Sequence, residues 1–157
     1  MKKILFFVAL FVTITQGYSF GQTSSKTDPS QLLSLYYEIK DALVAGNANT
    51  ASDKATDFVK AINDVDAKTI GEANRDALLK DIDAIAKTKD LKEQRARFAP
   101  FSDNMIVLAK IVKLSADPVY QQYCPMKKAS WLSNQQAIKN PYYGSSMLTC
   151  GSVKATL

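Results

Sequence analysis

The sequence predicts a mainly α-helical fold, an antiparallel four-helix bundle (up-down-up-down) with a C-terminal loop-rich tail or short β-hairpin packed on it. Three observations predict this fold: helix-capping signatures at helix-length spacing, apolar residues every three or four positions, and a change of composition at Asp117-Pro118. Connections of only a few residues should make neighbouring helices antiparallel. We therefore divide the chain into a signal, a short flexible segment, a helical part and a tail.

Residues 1–21 have the pattern of a cleavable export signal. A pair of lysines precedes the apolar run Ile4 to Ile14, and small residues before Gln22 suit cleavage at that point. The apolar run is too short to cross a membrane as a helix. We expect a flexible segment over residues 22–27, and a periplasmic or secreted protein with no membrane insertion after signal cleavage.

Four capping signatures divide residues 28–116 into the helices of the bundle. In each, a side-chain oxygen can accept a hydrogen bond from a free N–H group of the first turn, and an acid or amide follows three residues later. The signatures begin at Asp28, Thr50, Thr69 and Asp90. The first helix should end at Gly46, and Pro100 should kink or split the last helix near Ala99.

Apolar side chains recur along one face of each predicted helix, and this spacing agrees with the capping signatures. The stripes consist of Leu32, Tyr36, Ile39 and Leu43, then Ala51, Ala55, Phe58, Ile62 and Val65, then Leu78, Ile82 and Ile85, and last Phe98, Phe101, Met105, Leu108 and Val112. Steps of three and four residues place such side chains on one side of a helix. We expect these stripes to share one core.

The tail, residues 117–157, is rich in Tyr, Ser, Asn, Gly and Pro, and the helical period disappears there. Val119 to Cys124 is predicted to be a short strand, and Met147 to Val153 a second one. Asn140-Pro141 and Gly144 are typical of turns. The tail should fold compactly against the bundle.

Composition argues against most enzymatic mechanisms. The chain has no histidine, which removes the commonest general base and the commonest metal ligand. It contains neither a Gly-rich phosphate loop nor the Glu-x-x-His pattern of di-metal bundles. The net charge is only +5, and basic residues alternate with acids, so we expect no nucleic-acid partner. We predict that the protein is not an enzyme.

Sulfur atoms are concentrated in two short clusters of the tail, Cys124-Pro-Met126 and Met147-Leu-Thr-Cys150. Thiolate and thioether groups are soft donors, which favour copper(I) and silver(I) over harder cations. A tail that folds back as a hairpin would bring the two clusters together. The candidate metal ligands are therefore Cys124, Met126, Met147 and Cys150.

The same cysteines also fit a structural hypothesis. Two cysteines in an exported protein commonly form a disulfide, and a bond from Cys124 to Cys150 would close a loop of about 27 residues and contribute about 3 kcal/mol. The methionines would then be core filler. The corresponding function is a disulfide-stapled helical protein-interaction module with no metal role. A disulfide and a thiolate metal site exclude each other at the same sulfurs, so the sequence leaves both hypotheses open.

The tail as a whole carries a set of motifs that matches a known family. These motifs are Cys124-Pro-Met126, Trp131-Leu-Ser133, Asn140-Pro141-Tyr142-Tyr143-Gly144 and Met147-Leu-Thr-Cys150-Gly151. On them, the chain resembles an exported helical domain family of unknown function from Gram-negative bacteria. Members occur alone or fused to periplasmic adaptors of heavy-metal (copper/silver) efflux pumps. The similarity extends more weakly upstream, through Arg97-Phe98 and Phe101-Ser102-Asp103.

The resemblance implies a role in copper(I) or silver(I) handling, with the four candidate ligands at the family's sulfur positions. It also implies that Trp131, Asn140, Pro141, Tyr143 and Gly144 shape the pocket instead of binding the ion. The partners that it implies are a metal ion and a periplasmic efflux adaptor or metal transporter. The expected function is a periplasmic soft-metal-binding protein that sequesters the ion or hands it over to an efflux system.

Overall fold

The computed structural model describes residues 27–157, so the predicted signal and residues 22–26 of the predicted flexible segment lie outside the described part of the chain. The described chain is mainly helical, as predicted. Its elements are α1 (Pro29–Ala45), α2 (Ala48–Asp64), α3 (Ala67–Ile70), α4 (Glu72–Ala86), α5 (Leu91–Ile111), β1 (Tyr120–Cys124), β2 (Ala129–Ser133), a 3-10 helix (Gly144–Met147) and β3 (Ser152–Thr156).

The structure confirms the predicted start of the first helix at Asp28, its end at Gly46 and the start of the last helix at Asp90. Asp28 caps α1 by accepting a hydrogen bond from Ser30 N at 2.7 Å, and Asp90 caps α5 by accepting one from Glu93 N at 2.9 Å. The first helix ends at Gly46, which has a left-handed φ of 75°. Each of these ends is therefore set by a local side-chain or backbone preference.

The other two predicted helix starts are wrong by a few residues. The second helix is capped by Asn47 and not by Thr50, because the Asn47 side-chain oxygen accepts from Thr50 N at 3.1 Å. Where the third helix was predicted to start, at Thr69, the chain first forms a separate one-turn helix, α3, capped by Asp66. The longer helix α4 then begins after Gly71 without a side-chain cap. Hydroxyl, amide and carboxylate caps compete at closely spaced positions, and their order cannot be read from spacing alone.

Pro100 does not split the last helix. The helix α5 runs without interruption from Leu91 to Ile111, with Pro100 inside it. Pro100 is exposed, whereas Phe98 and Phe101 on either side are fully buried. The carbonyl that loses its N–H partner therefore lies toward water, and aromatic packing on the opposite face holds the helix together.

The predicted stripes form one core. All of their side chains are buried except Val112, which is half-buried. Helix α1 packs on α2, α2 on α4, and α4 on α5, while β2 lies against α5. Aromatic rings fill the centre, with Phe58 edge-on to Phe101 at 5.0 Å and Tyr36 stacked on Phe98 at 5.3 Å between ring centroids. In residues 27–157, no helix combines the length and apolar character needed to cross a membrane.

The tail forms a three-stranded antiparallel sheet in the order β2-β1-β3. The first predicted strand is confirmed as β1. The second prediction, Met147 to Val153, is wrong: a 3-10 helix ends at Met147, Cys150 N bonds Met147 O at 3.1 Å, and β3 begins only at Ser152. The strand β2 was not predicted. The tail is thus more regular than the expected loop or hairpin.

A buried hydroxyl joins the helices to the sheet. Tyr36 Oη lies 2.7 Å from Ser102 Oγ and accepts a hydrogen bond from Leu132 N at 3.0 Å. These contacts connect α1, α5 and β2. Burial raises the pKa of Tyr36 above its usual value, so this phenol stays protonated.

The substitution Tyr36→Phe is expected to lower the free energy of unfolding by about 1–3 kcal/mol, because it leaves the buried Leu132 N–H and Ser102 hydroxyl without their partner. Tyr37→Phe is the matched control, since Tyr37 Oη is buried without a hydrogen-bond partner among the described residues and its removal should cost little. Urea denaturation of the two variants measures the difference. Equal losses would contradict a structural role for the Tyr36 hydroxyl.

Candidate functional site

The two cysteines converge although they lie 26 positions apart in the sequence. Cys124 ends β1, and Cys150 lies just before β3; the pairing of Tyr123 with Ser152 sets the two strands side by side at this end. Their Sγ atoms are 2.9 Å apart, and both are free thiols. The pairing of β1 with β3 therefore builds a two-thiol site.

The turn after Cys124 surrounds its sulfur with backbone donors. Lys128 N donates to Cys124 O at 2.8 Å and closes the turn, and Lys128 itself has a left-handed φ of 55°. The backbone N–H groups of Met126 and Lys127 help to lower the pKa of the Cys124 thiol. Pro125 is the first residue of this turn.

Gly151 allows the second cysteine to reach the first. Its φ is 151°, and a Cβ atom there would lie 2.8 Å from Trp131 Cη2 and 3.0 Å from Tyr123 O. Both distances are shorter than ordinary van der Waals contacts. Any side chain at this position would push β3 away from β1, so Gly151 sets the close approach of the strands beside Cys150.

Asn140 fixes the loop that carries Cys150. Its side chain is fully buried, and Nδ2 donates to Cys150 O at 2.8 Å. The side-chain oxygen accepts from the backbone N–H groups of Tyr142 and Tyr143 at 2.8 and 3.3 Å, while Asn140 N donates to Leu148 O at 2.8 Å. One amide thus positions both sides of the loop.

The two thiols differ in acidity. Burial opposes ionisation of Cys124, but hydrogen bonds from Cys150, from the Lys127 and Met126 backbone and from the Asn140 side chain outweigh it, so the pKa of Cys124 is lowered. The hydrogen bond to Cys124, with burial and the nearby negative charge, raises the pKa of Cys150. Cys124 is therefore the first to become a thiolate, with the Cys150 S–H donating to it.

Both candidate methionine ligands are at the surface. The side chain of Met126 is 66% exposed and that of Met147 is 42% exposed. Met126 lies in the turn that surrounds Cys124, and Met147 accepts the backbone hydrogen bond from Cys150 N. The core-filling interpretation is wrong for these two methionines; it holds for Met105, which is fully buried in α5.

The donor set at the site consists of two thiols with two thioethers nearby in sequence. Within residues 27–157, no group of three or more His, Cys, Asp or Glu side chains is arranged to hold a metal ion. The separation of 2.9 Å between the thiol sulfurs is longer than the bond of about 2 Å in a disulfide. The pair can therefore form a disulfide when an external oxidant removes two protons and two electrons, or bind an ion when the two sulfurs move apart.

Comparison with known proteins assigns the helical part of this chain to a family. A family model described as "Protein of unknown function (DUF3347)" matches residues 32–117, more than half of the chain. The chain belongs to the DUF3347 family. This confirms the expected resemblance to a helical domain of unknown function. No curated protein and no solved structure matches the chain.

The DUF3347 match begins within the first turn of α1, includes α2 to α5 and ends before β1. The thiols and the tail motifs lie after it, and fusion to efflux adaptors is not part of what the match describes. Sequence reasoning missed Lys127, whose backbone N–H reaches the Cys124 sulfur. The signal for it was the short turn Pro125-Met126-Lys127-Lys128 directly after a cysteine, which forces backbone N–H groups toward that side chain.

Proposed function

We propose that this DUF3347 protein binds one soft monovalent metal ion, copper(I) or silver(I), through Cys124 and Cys150. The observation that carries the proposal is the 2.9 Å approach of two free thiols. A d10 monovalent ion can be held by two or three sulfur atoms without imidazole or carboxylate ligands, and soft sulfur donors select it. The function is binding and transfer, not catalysis.

The two sulfurs must move apart by about 1.7 Å to accept the ion between them. Two metal–thiolate bonds of about 2.3 Å, the length known for zinc, would place the sulfurs of a linear pair about 4.6 Å apart. Cys150 is only partly buried and lies between a 3-10 helix and β3, whereas Cys124 is fully buried in β1. Cys150 is therefore the ligand that moves, and Cys124 is the fixed one.

Local charge favours a metal held by two thiolates. A monovalent ion with two thiolates carries one net negative charge, and the adjacent turn supplies backbone N–H groups that lower the pKa of Cys124. Hydrogen bonds and cations near thiolates stabilise their ionised form. The exposed thioethers of Met126 and Met147 supply a third donor and a route for ligand exchange with a partner.

The cellular role that follows is sequestration of the ion or its transfer to an efflux system in the periplasm. This role draws on the predicted export signal and on the resemblance of the tail to domains associated with efflux adaptors. We also infer that α1, α2, α4 and α5 form the up-down-up-down bundle that presents the site. The packing of each of these helices on the next supports that inference.

Purified mature protein, kept reduced, is expected to take up about one copper(I) per chain in competition with a chromogenic copper(I) chelator. The thiol-oxidised form of the same sample serves as the control and should leave the chelator complex intact. Absorbance of the chelator measures both. Reduced protein that removes no copper from the chelator would overturn the proposal.

The thioether role is tested separately. Replacing Met126 and Met147 together by leucine is expected to weaken copper(I) binding by about 10-fold while leaving the stoichiometry unchanged, because the thiolates remain. Met105→Leu is the matched control, since it makes the same chemical change in the core. If both variants bind like the wild type, the thioethers are not ligands.

A disulfide-stapled interaction module is the second candidate, and the same 2.9 Å separation favours it. An external thiol oxidant that takes two protons and two electrons from the pair would form the bond, and the sulfurs would then move only about 1 Å closer. The exposed side chains of Met126, Met147 and Leu148 would then belong to a protein-binding surface. A thiol count on protein isolated from the periplasm separates the two candidates. The absence of free thiols, together with no copper(I) uptake after mild reduction, favours the staple.

A further inference from the structure

A cavity lies between the N-terminal turns of α5 and the tail, and it combines positive charge with an apolar floor. Its volume is about 450 Å³, within the range of small-molecule sites. Lys92, Arg95 and Lys127 supply its charge, and Leu91, Tyr142 and Tyr143 supply most of its floor. We propose that this cavity binds a small organic anion with an apolar body, such as an aromatic carboxylate. The proposal does not depend on the metal function.

The three cations at this cavity have no acidic partner. Among the residues that the structure describes, neither lysine nor Arg95 forms an ion pair. The nearest acids along α5 are engaged elsewhere: Asp90 caps the helix, and Glu93 accepts a hydrogen bond from Thr88 Oγ1 at 3.0 Å. The positive charge is therefore available to an anion from outside the chain.

The Arg95 guanidinium is held in position before any ligand arrives. One of its nitrogens, Nη2, donates to Leu43 O at 2.7 Å at the end of α1. The chain passes over this group at Gly144, where φ is 54° and a Cβ atom would collide with Nη2. Burial lowers the pKa of Arg95, and no carboxylate compensates for that burial. A carboxylate ligand would supply the missing counter-charge.

The floor of the cavity selects against a bare inorganic anion. Tyr142 is buried, and its hydroxyl is already engaged with Ser130 O at 2.5 Å, so it presents its ring and not a polar group. Lys127 Nζ lies 5.9 Å from the centroid of that ring. An aromatic or aliphatic body would cover this apolar surface while its carboxylate meets the cations, and phosphate would leave the floor uncovered.

Benzoate is the probe, and benzamide is its neutral counterpart of nearly the same shape. In titrations of the metal-free, reduced protein followed by amide chemical shifts, benzoate is expected to move the signals of Lys127, Tyr142 and Tyr143 saturably. Benzamide should bind about 10-fold more weakly, because it lacks the charge that pairs with the cations. Added sodium chloride should weaken benzoate binding.

Replacing both Lys92 and Lys127 by glutamine is expected to weaken benzoate binding by about 10-fold, a change that leaves the Arg95 contact with Leu43 in place. The matched control replaces Lys110, in the last turn of α5, and Lys113, just after the helix; both are exposed, and this variant should bind like the wild type. Serine at both cysteines should leave benzoate binding unchanged. A protein that fails to bind copper(I) could therefore still bind benzoate, and the two proposals are tested independently. Equal binding of benzoate and benzamide, or full affinity in the Lys92/Lys127 variant, would overturn the proposal.

Discussion

Serine at both Cys124 and Cys150 is expected to lower the affinity for copper(I) by more than about 100-fold, beyond the effect usual for residues that only support a metal ligand. The hydroxyl of serine is a harder donor than a thiolate and stays protonated at neutral pH. The two exposed thioethers that remain would hold the ion only weakly. Chelator competition with the wild type and the double variant measures the loss.

The two single cysteine variants should lose different amounts of copper(I) affinity. Cys124 has the lowered pKa and is fixed in β1, so Cys124→Ser should cost more affinity than Cys150→Ser. Binding by the wild type should strengthen as the pH rises, because the proton on Cys150, whose pKa is raised, must leave before its sulfur can bind the ion.

Thr149→Ser, beside Cys150 and exposed, is the matched control and should bind copper(I) like the wild type. The cysteines are free thiols, so the double variant should retain the helical circular dichroism of the wild type. If the double variant still takes up one copper(I) per chain with unchanged affinity, the thiolates are not the ligands.

The helical part could be predicted from the sequence because its determinants are local. Asp28 and Asp90 cap helices with their own side chains, and apolar steps of three and four define which face is buried. The errors occurred where two local signals compete. Asn47 and Thr50 are both good capping residues three positions apart, and the structure uses Asn47 as the cap while Thr50 supplies the N–H group.

The tail could be predicted only in part, because its strands are defined by partners distant in the sequence. In β2, Trp131 and Leu132 are adjacent and both fully buried, so the strand lacks the alternation by which a half-buried strand is identified. Met147 and Leu148 are apolar but exposed, and they suggested a strand where the chain instead makes a 3-10 turn. Composition alone does not distinguish these two cases.

The sequence predicts that a hairpin brings the two sulfur clusters together, whereas the structure brings the two cysteines together in a different way. The hairpin partner of β1 is β2, and the strand that brings Cys150 to Cys124 is β3, on the other edge of β1. That arrangement requires a long loop between β2 and β3 with a defined path. The hydrogen bonds of the Asn140 side chain to Cys150, Tyr142 and Tyr143 hold the loop on this path.

Asn140→Ala is expected to lower the free energy of unfolding by about 2–4 kcal/mol, because it leaves the Cys150 carbonyl and two backbone N–H groups without their partner. It should also weaken copper(I) binding by about 10–100-fold, the range for residues that orient a metal ligand. Urea denaturation and chelator competition on the same preparation measure the two effects.

Asn134→Ala is the matched control for stability, because Asn134 is exposed and should change it by less than about 0.5 kcal/mol. Asn140→Asp separates the two halves of the interaction. Its carboxylate can still accept from Tyr142 N and Tyr143 N, but it cannot donate to Cys150 O, and its charge opposes the Cys124 thiolate. We therefore expect Asn140→Asp to retain more stability than Asn140→Ala while binding copper(I) no better. Wild-type stability and affinity in Asn140→Ala would show that the position of Cys150 does not depend on this amide.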